Sequence, residues 1–114
     1  MLDKLTTPQS VVIVSNMRAR SLIDRRITLA PNAFVELVVW ELPEPLKEST
    51  HGYKYRFALV VRDECVLRYD NEAGKGDHVH LGTIERPYLF VDIDRLTADF
   101  LADAKEWLND NRYP

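Results

Sequence analysis

Through its middle the chain alternates apolar and polar residues two by two, and near its end the spacing lengthens. Tyr53, Tyr55, Phe57, Leu59 and Val61 share one face of an extended segment, with Lys54, Arg56, Ala58 and Val60 on the other. Phe34–Trp40 is rich in β-branched and aromatic residues and predicts a strand that Pro43 and Pro45 stop. Lys47–Gly52 is a polar connection. Tyr53–Val61 and Cys65–Asn71 read as a hairpin with Asp63-Glu64 as its loop and Arg62 opposite Cys65. Cross-strand partners share a face, so this register sets Lys54 and Arg56 beside Leu67, Tyr69 and Asn71. Asp-Glu is not a favoured two-residue turn, and a slip of one residue swaps every side.

Ala19–Leu29 predicts a further strand ending at the turn Ala30-Pro31-Asn32. Val11–Val14 is either a short strand or the start of a buried helix; the period does not decide. Tyr88–Val91 predicts a short edge strand. Asp92 or Asp94 then caps a helix running to about Asp110. Leu96, Phe100, Ala104, Trp107 and Leu108 form its apolar stripe, expected to pack on the aromatic row. The expected class is α+β: a mainly antiparallel sheet of about four to five strands with a C-terminal helix packed on one face.

Length and composition narrow the class of protein. At 114 residues the chain is expected to form a single domain, 1–114, with the polar residues 1–10 loosely ordered. No apolar run approaches the roughly 20 residues of a membrane span. Met1-Leu2-Asp3-Lys4 lacks a signal-peptide pattern, and Cys65 is the single cysteine. Together these point to a cytoplasmic protein without a disulfide framework. Cys65 itself reads as a small core residue, and Trp40 and Trp107 as core or core-edge residues. The net charge of −3 argues against a generally cationic nucleic-acid coat. Residues 85–114 hold seven acids against four bases and the rest of the chain eleven of each, so a local basic surface can still exist. Arg18, Arg20, Arg25 and Arg26 cluster, and Lys54, Arg56, Arg62, Arg68 and Lys75 recur through the middle.

The segment Tyr69–His80 concentrates the chemistry: an amide, carboxylates, a lysine, two histidines, a phenol and two glycines. Gly74-Lys75-Gly76 can turn backbone N–H groups toward an anion, or can simply be a turn needing positive φ. It lacks the spacing of a phosphate-binding Walker loop. In an extended piece His78 and His80 point the same way, where they can divide acid and base roles. They can also sit as plain surface histidines, or bind a metal if Glu72, Asp70 or His51 joins them. Metal-free RNA cleavage needs a base for the 2′-hydroxyl, an acid for the leaving oxygen, and cations around the phosphate. The candidates for proton transfer are His78, His80, Glu72 and Tyr69. Those for phosphate or RNA contact are Lys75, Arg56, Lys54, Arg68 and Asn71, with Gly74 and Gly76. Tyr53 and Tyr55 can stack on bases or pack under the helix.

Phe34–Trp40, Tyr53-Lys54-Tyr55-Arg56, Arg68-Tyr69-Asp70-Asn71-Glu72, Gly74-Lys75-Gly76-Asp77-His78-Val79-His80 and Glu85-Arg86-Pro87-Tyr88-Leu89-Phe90 together resemble the TumE-like proteins. These are small prokaryotic toxins of toxin–antitoxin modules. The resemblance covers about residues 17–108. It implies a helix-turn-helix antitoxin encoded alongside as partner. The resulting expectation is a toxin acting on RNA as a metal-independent endoribonuclease, with no metal and no cofactor. The alternative is a non-enzymatic module that binds an anion or a protein surface. An exposed strand edge leans the reading to a homodimer.

Overall fold

The computed structural model describes residues 11–14 and 17–111. One antiparallel sheet runs in strict sequence order from β1 to β7. Its strands are β1 (Val11–Val14), β2 (Met17–Ala30), β3 (Ala33–Glu41), β4 (Tyr53–Val61), β5 (Glu64–Glu72), β6 (Gly76–Leu81) and β7 (Ile84–Pro87). Helix α1 (Ile93–Asp110) closes the chain. The α+β class holds, but six strands follow the short β1, more than the expected four to five. Residues 1–10, expected to be loosely ordered, lie outside the described residues.

The extra strands come from the polar segment. It folds as a hairpin in which Glu72 pairs with Gly76, and Ala73-Gly74-Lys75 makes the turn. Gly74 and Gly76 sit at φ 76° and 82°, which side-chain-bearing residues rarely adopt. The next turn, Gly82-Thr83, joins Leu81 to Ile84. The edge strand is therefore β7, and not the expected Tyr88–Val91. Residues 88–92 instead form an extended strap without ladder pairing, held where the Tyr88 N–H donates to the Asp77 carbonyl at 2.9 Å.

The β4–β5 register also differs from the expectation. The loop is Arg62-Asp63, with both residues at positive φ (50° and 66°), and Val61 pairs with Glu64. The Arg62 N–H donates to the Asn32 carbonyl at 2.8 Å, bracing this turn against its neighbour. Continued regularly, such a loop would oppose Phe57 to Arg68. A bulge beyond Cys65 corrects this, so that Leu59 meets Leu67 and Phe57 meets Tyr69. Leu67, Tyr69 and Asn71 consequently join the aromatic face, and Lys54 and Arg56 share the opposite one with Arg68 and Asp70 instead. Cys65, beside the bulge, is exposed rather than a core residue.

The core lies between one sheet face and α1. Val35, Leu37, Val39, Tyr55, Phe57, Leu59, Leu67, Tyr69 and Val79 meet Leu96, Phe100, Ala104 and Leu108. Phe100 stands edge-on to Phe57 and Tyr69, with ring centroids 5.5 and 5.6 Å away. Trp107 is half-buried at the margin, as is Trp40 beside a small second cluster of Ala19, Leu42 and Leu46. The helix starts as its sequence predicts. The Asp92 carboxylate accepts from the Arg95 N–H at 2.7 Å, satisfying one orphan donor of the first turn. Asp92→Ala is expected to lower stability by about 1 kcal/mol, read as a lower denaturant midpoint with an unchanged slope.

Candidate functional site: the open face of the sheet

The face turned away from α1 carries a polar constellation drawn from five strands. Register alone assembles it: Val38 pairs with Arg56, Arg56 with Asp70, Asp70 with His78, and Arg68 with His80. On the outer side His80 pairs with Glu85. The ring centroids of His78 and His80 lie 6.4 Å apart. Around His80, Nε2 stands 3.5 Å from Asp70 Oδ1 and 3.3 Å from Glu85 Oε2. Arg68 Nε stands 2.9 Å from Asp70 Oδ2, shielded from water but off the line of a good hydrogen bond. Lys75 Nζ reaches Glu85 Oε2 at 3.2 Å, and this contact holds the Glu85 carboxyl below its ordinary range, with smaller help from His80 and His78. Further across the face, Glu36 pairs with Arg26 at 2.9 Å and Arg56 at 3.6 Å.

The two histidines are held differently. His78 Nδ1 lies 3.2 Å from the Gly76 carbonyl, which only accepts, so Nδ1 carries the proton in that contact. Nε2 of a neutral His78 is then free to accept. His80 Nε2 faces two carboxylates and is a proton-bearing nitrogen in those contacts.

Of the residues singled out by sequence, His78, His80, Arg68, Arg56, Lys54 and Lys75 meet on or beside this face. Glu72 lies exposed on the same side, two residues beyond Asp70 at the end of β5. Tyr69 and Asn71 do not join them, because side chains alternate along β5. Tyr69 is buried in the core, and its hydroxyl donates to Asp103 on α1. Burial, then that bond to Asp103, pushes its phenol well above the ordinary range, so it keeps its proton near neutrality. Tyr69→Phe is expected to leave activity intact and to lower stability by about 1–2 kcal/mol, measured by parallel melting and activity assays.

Asn71 is 1 % exposed. Its Oδ1 accepts from the Tyr55 N–H at 3.0 Å and its Nδ2 donates to the Tyr53 carbonyl at 2.7 Å. The Asn71 carbonyl in turn accepts from the Lys54 ammonium. The glycine turn has also used its amides: Gly74 N–H donates to Lys47 O at 2.9 Å and Lys75 N–H to Glu72 O at 3.2 Å. Gly74 and Gly76 thus shape a hairpin, and the Lys75 side chain is what the turn offers an anion.

His51 belongs to a separate cluster. Its Nδ1 accepts from the Tyr53 N–H at 3.2 Å, so Nε2 donates to Asp77 Oδ2 at 2.8 Å. Tyr55 donates to the same oxygen at 2.7 Å, and Phe90 covers the His51 ring at 3.9 Å. Burial, then the bond to Asp77, raises the Tyr55 phenol far above its ordinary range. This cluster fastens the strap and the β3–β4 connection to the sheet, away from His78 and His80. Glu85 is the open-face group that sequence did not place beside the histidines, and Asp70 entered there only as a possible metal ligand with them. The two-residue spacing of Asp70 from Arg68 is the one signal that could have placed it.

The architecture defines a small two-layer α+β protein: a sequential antiparallel meander with one helix on its apolar face and a His-, Arg- and Lys-bearing face left open. Among the described residues no helix is long and apolar enough to cross a membrane. A family model described as Toxin TumE matches residues 3–108, and the chain belongs to that toxin family. Membership implies an antitoxin as partner. No curated protein and no solved structure gave a match.

Proposed function

We propose that this toxin cleaves RNA as a metal-independent endoribonuclease. The observation that supports it most is the convergence of His78, His80, Arg68, Asp70 and Lys75 on one open sheet face. In this reading Nε2 of His78 takes the proton of a ribose 2′-hydroxyl. The 2′-oxygen attacks the adjacent phosphorus, the bond from phosphorus to the 5′-oxygen breaks, and His80 gives that oxygen a proton. The products are a 2′,3′-cyclic phosphate and a free 5′-hydroxyl, so atoms and protons balance. Lys75, Arg56 and Arg68 balance charge on the phosphate as it gains electron density. Asp70 and Glu85 orient His80, and Glu72 stands close enough along β5 to contact the same strand of RNA.

The reading includes a helix-turn-helix antitoxin that binds the toxin, a cytoplasmic site of action, and a homodimer formed through an exposed strand edge. The competing reading, a module acting by occupancy, draws on Glu36, Asp70 and Glu85, which already engage Arg56, Arg68 and Lys75. Occupancy predicts an effect that ends at one toxin per target, and catalysis predicts turnover at substoichiometric protein. The deciding test for the chemistry is a cleaved oligonucleotide remade with a single 2′-deoxyribose at the cut. Resistance of that linkage, with 5′-hydroxyl ends on the normal product, supports the mechanism. Cleavage of the deoxy linkage at an unchanged rate overturns it.

A further inference from the structure

Across the open face from the histidines lies a hollow whose β3 wall, Val38 and Trp40, the proposed chemistry does not use. It measures about 240 Å³ and is lined by Val38, Trp40, Lys54, Tyr55, Arg56 and Asp70. Trp40 is half-buried: it packs against the small Ala19, Leu42 and Leu46 cluster and also lines the hollow. Trp40 and Lys54 are direct cross-strand partners, as are Val38 and Arg56. The hollow therefore has an indole and an aliphatic side chain on β3, two cations on β4 and a carboxylate on β5. Asp70 is shared with the histidine constellation, where it stands beside His80 and Arg68. Across the sheet Trp40 and the histidines are three strand spacings apart, about 14 Å, and along it Trp40 is offset by two residues from His78 and four from His80.

We propose that this hollow is a nucleobase subsite, in which Trp40 stacks on a base of single-stranded RNA a few nucleotides along the strand from the phosphate that lies at His78 and His80. The proposal rests on the ribonuclease reading for its substrate class. The chemistry of the lining fits a nucleotide better than a purely apolar or purely anionic ligand. An aromatic surface takes the π-face of any base, and adjoining cations follow the backbone. Asp70 only accepts hydrogen bonds, so it suits the N–H groups on a base's Watson–Crick edge. A sheet face is also a known kind of platform for splayed single strands. Neither Lys54 nor Arg56 contributes to the core: Lys54 donates to the Asn71 carbonyl and Arg56 pairs with Glu36, which keeps both cations at the wall of the hollow.

The test uses the full chain with His78→Ala and His80→Ala, so that bound RNA survives, and with Trp107→Phe, so that Trp40 is the only tryptophan. A short single-stranded RNA is expected to quench Trp40 fluorescence saturably, while an abasic ribose-phosphate strand of equal length leaves it nearly unchanged. In the same background Trp40→Leu is expected to weaken RNA binding roughly tenfold, and Trp40→Phe to restore most of it. Loss of binding in Trp40→Leu without rescue by Trp40→Phe, or equal quenching by the abasic strand, would overturn the subsite. Unchanged affinity in a folded Trp40→Leu protein would do so as well. Quenching by RNA in a protein whose wild type never cleaves it would leave the subsite standing and remove the ribonuclease reading. Cleavage without any part for Trp40 would do the reverse.

Discussion

Replacing His78 and His80 together with alanine is expected to lower RNA cleavage by at least about 10²-fold and to abolish growth inhibition, with the melting temperature little changed. Both side chains stand on the open face, neither belongs to the buried core, and His80 is 24 % exposed. Their removal therefore leaves no cavity between sheet and helix. Each single replacement is expected to cost nearly as much as the pair, because a base without its acid, or the reverse, leaves one step unassisted. Asp70→Asn should give a milder loss: the amide keeps the shape but no longer balances Arg68 or orients His80. Full growth inhibition by a folded double variant would remove the histidines from the chemistry.

Asn71→Ala is expected to destabilise the fold by about 2–4 kcal/mol without acting on the chemistry. The substitution strands the Tyr55 N–H and the Tyr53 carbonyl, both of which the Asn71 amide now satisfies at a position closed to water. An orphaned buried polar group loses its hydration and gains nothing in return. For a domain of this size each kcal/mol moves the melting temperature by roughly 4–8 °C, so the loss is easily read in a thermal melt. Toxicity in cells should fall because less folded protein accumulates, while the folded fraction keeps its specific activity. A variant with native stability and no activity would instead return Asn71 to the site.

The difference between His80 and Asn71 explains how far sequence could be read here. The helix was legible because its signals are local: a capping aspartate, then apolar residues three and four apart. The strand Phe34–Trp40 and the segment Tyr53–Val61 were legible for the same reason, one period repeated over a whole element. The β4–β5 register was not, because it depends on a left-handed two-residue loop and a compensating bulge, and neither Arg62-Asp63 nor Val66 advertises them. That single shift moved Leu67, Tyr69 and Asn71 off the face of Lys54 and Arg56 and put Arg68 and Asp70 there in their place. The β6 and β7 strands were missed because Gly76–Leu81 buries only Val79 deeply, so its alternation is faint against so many polar residues. Within the site, clustering in sequence correctly drew His78, His80 and Arg68 together. It failed for Tyr69 and Asn71, which flank Asp70 and for that reason point the other way.

The account centres on one claim, that the open face of this TumE-family toxin cleaves RNA through His78 and His80. Its most direct measurement is incubation of total RNA with purified protein at substoichiometric concentration, with and without EDTA, beside the double alanine variant. The account predicts cleavage that survives EDTA and disappears in the folded variant. Intact RNA with folded wild-type protein, even after divalent metals are added, would contradict it.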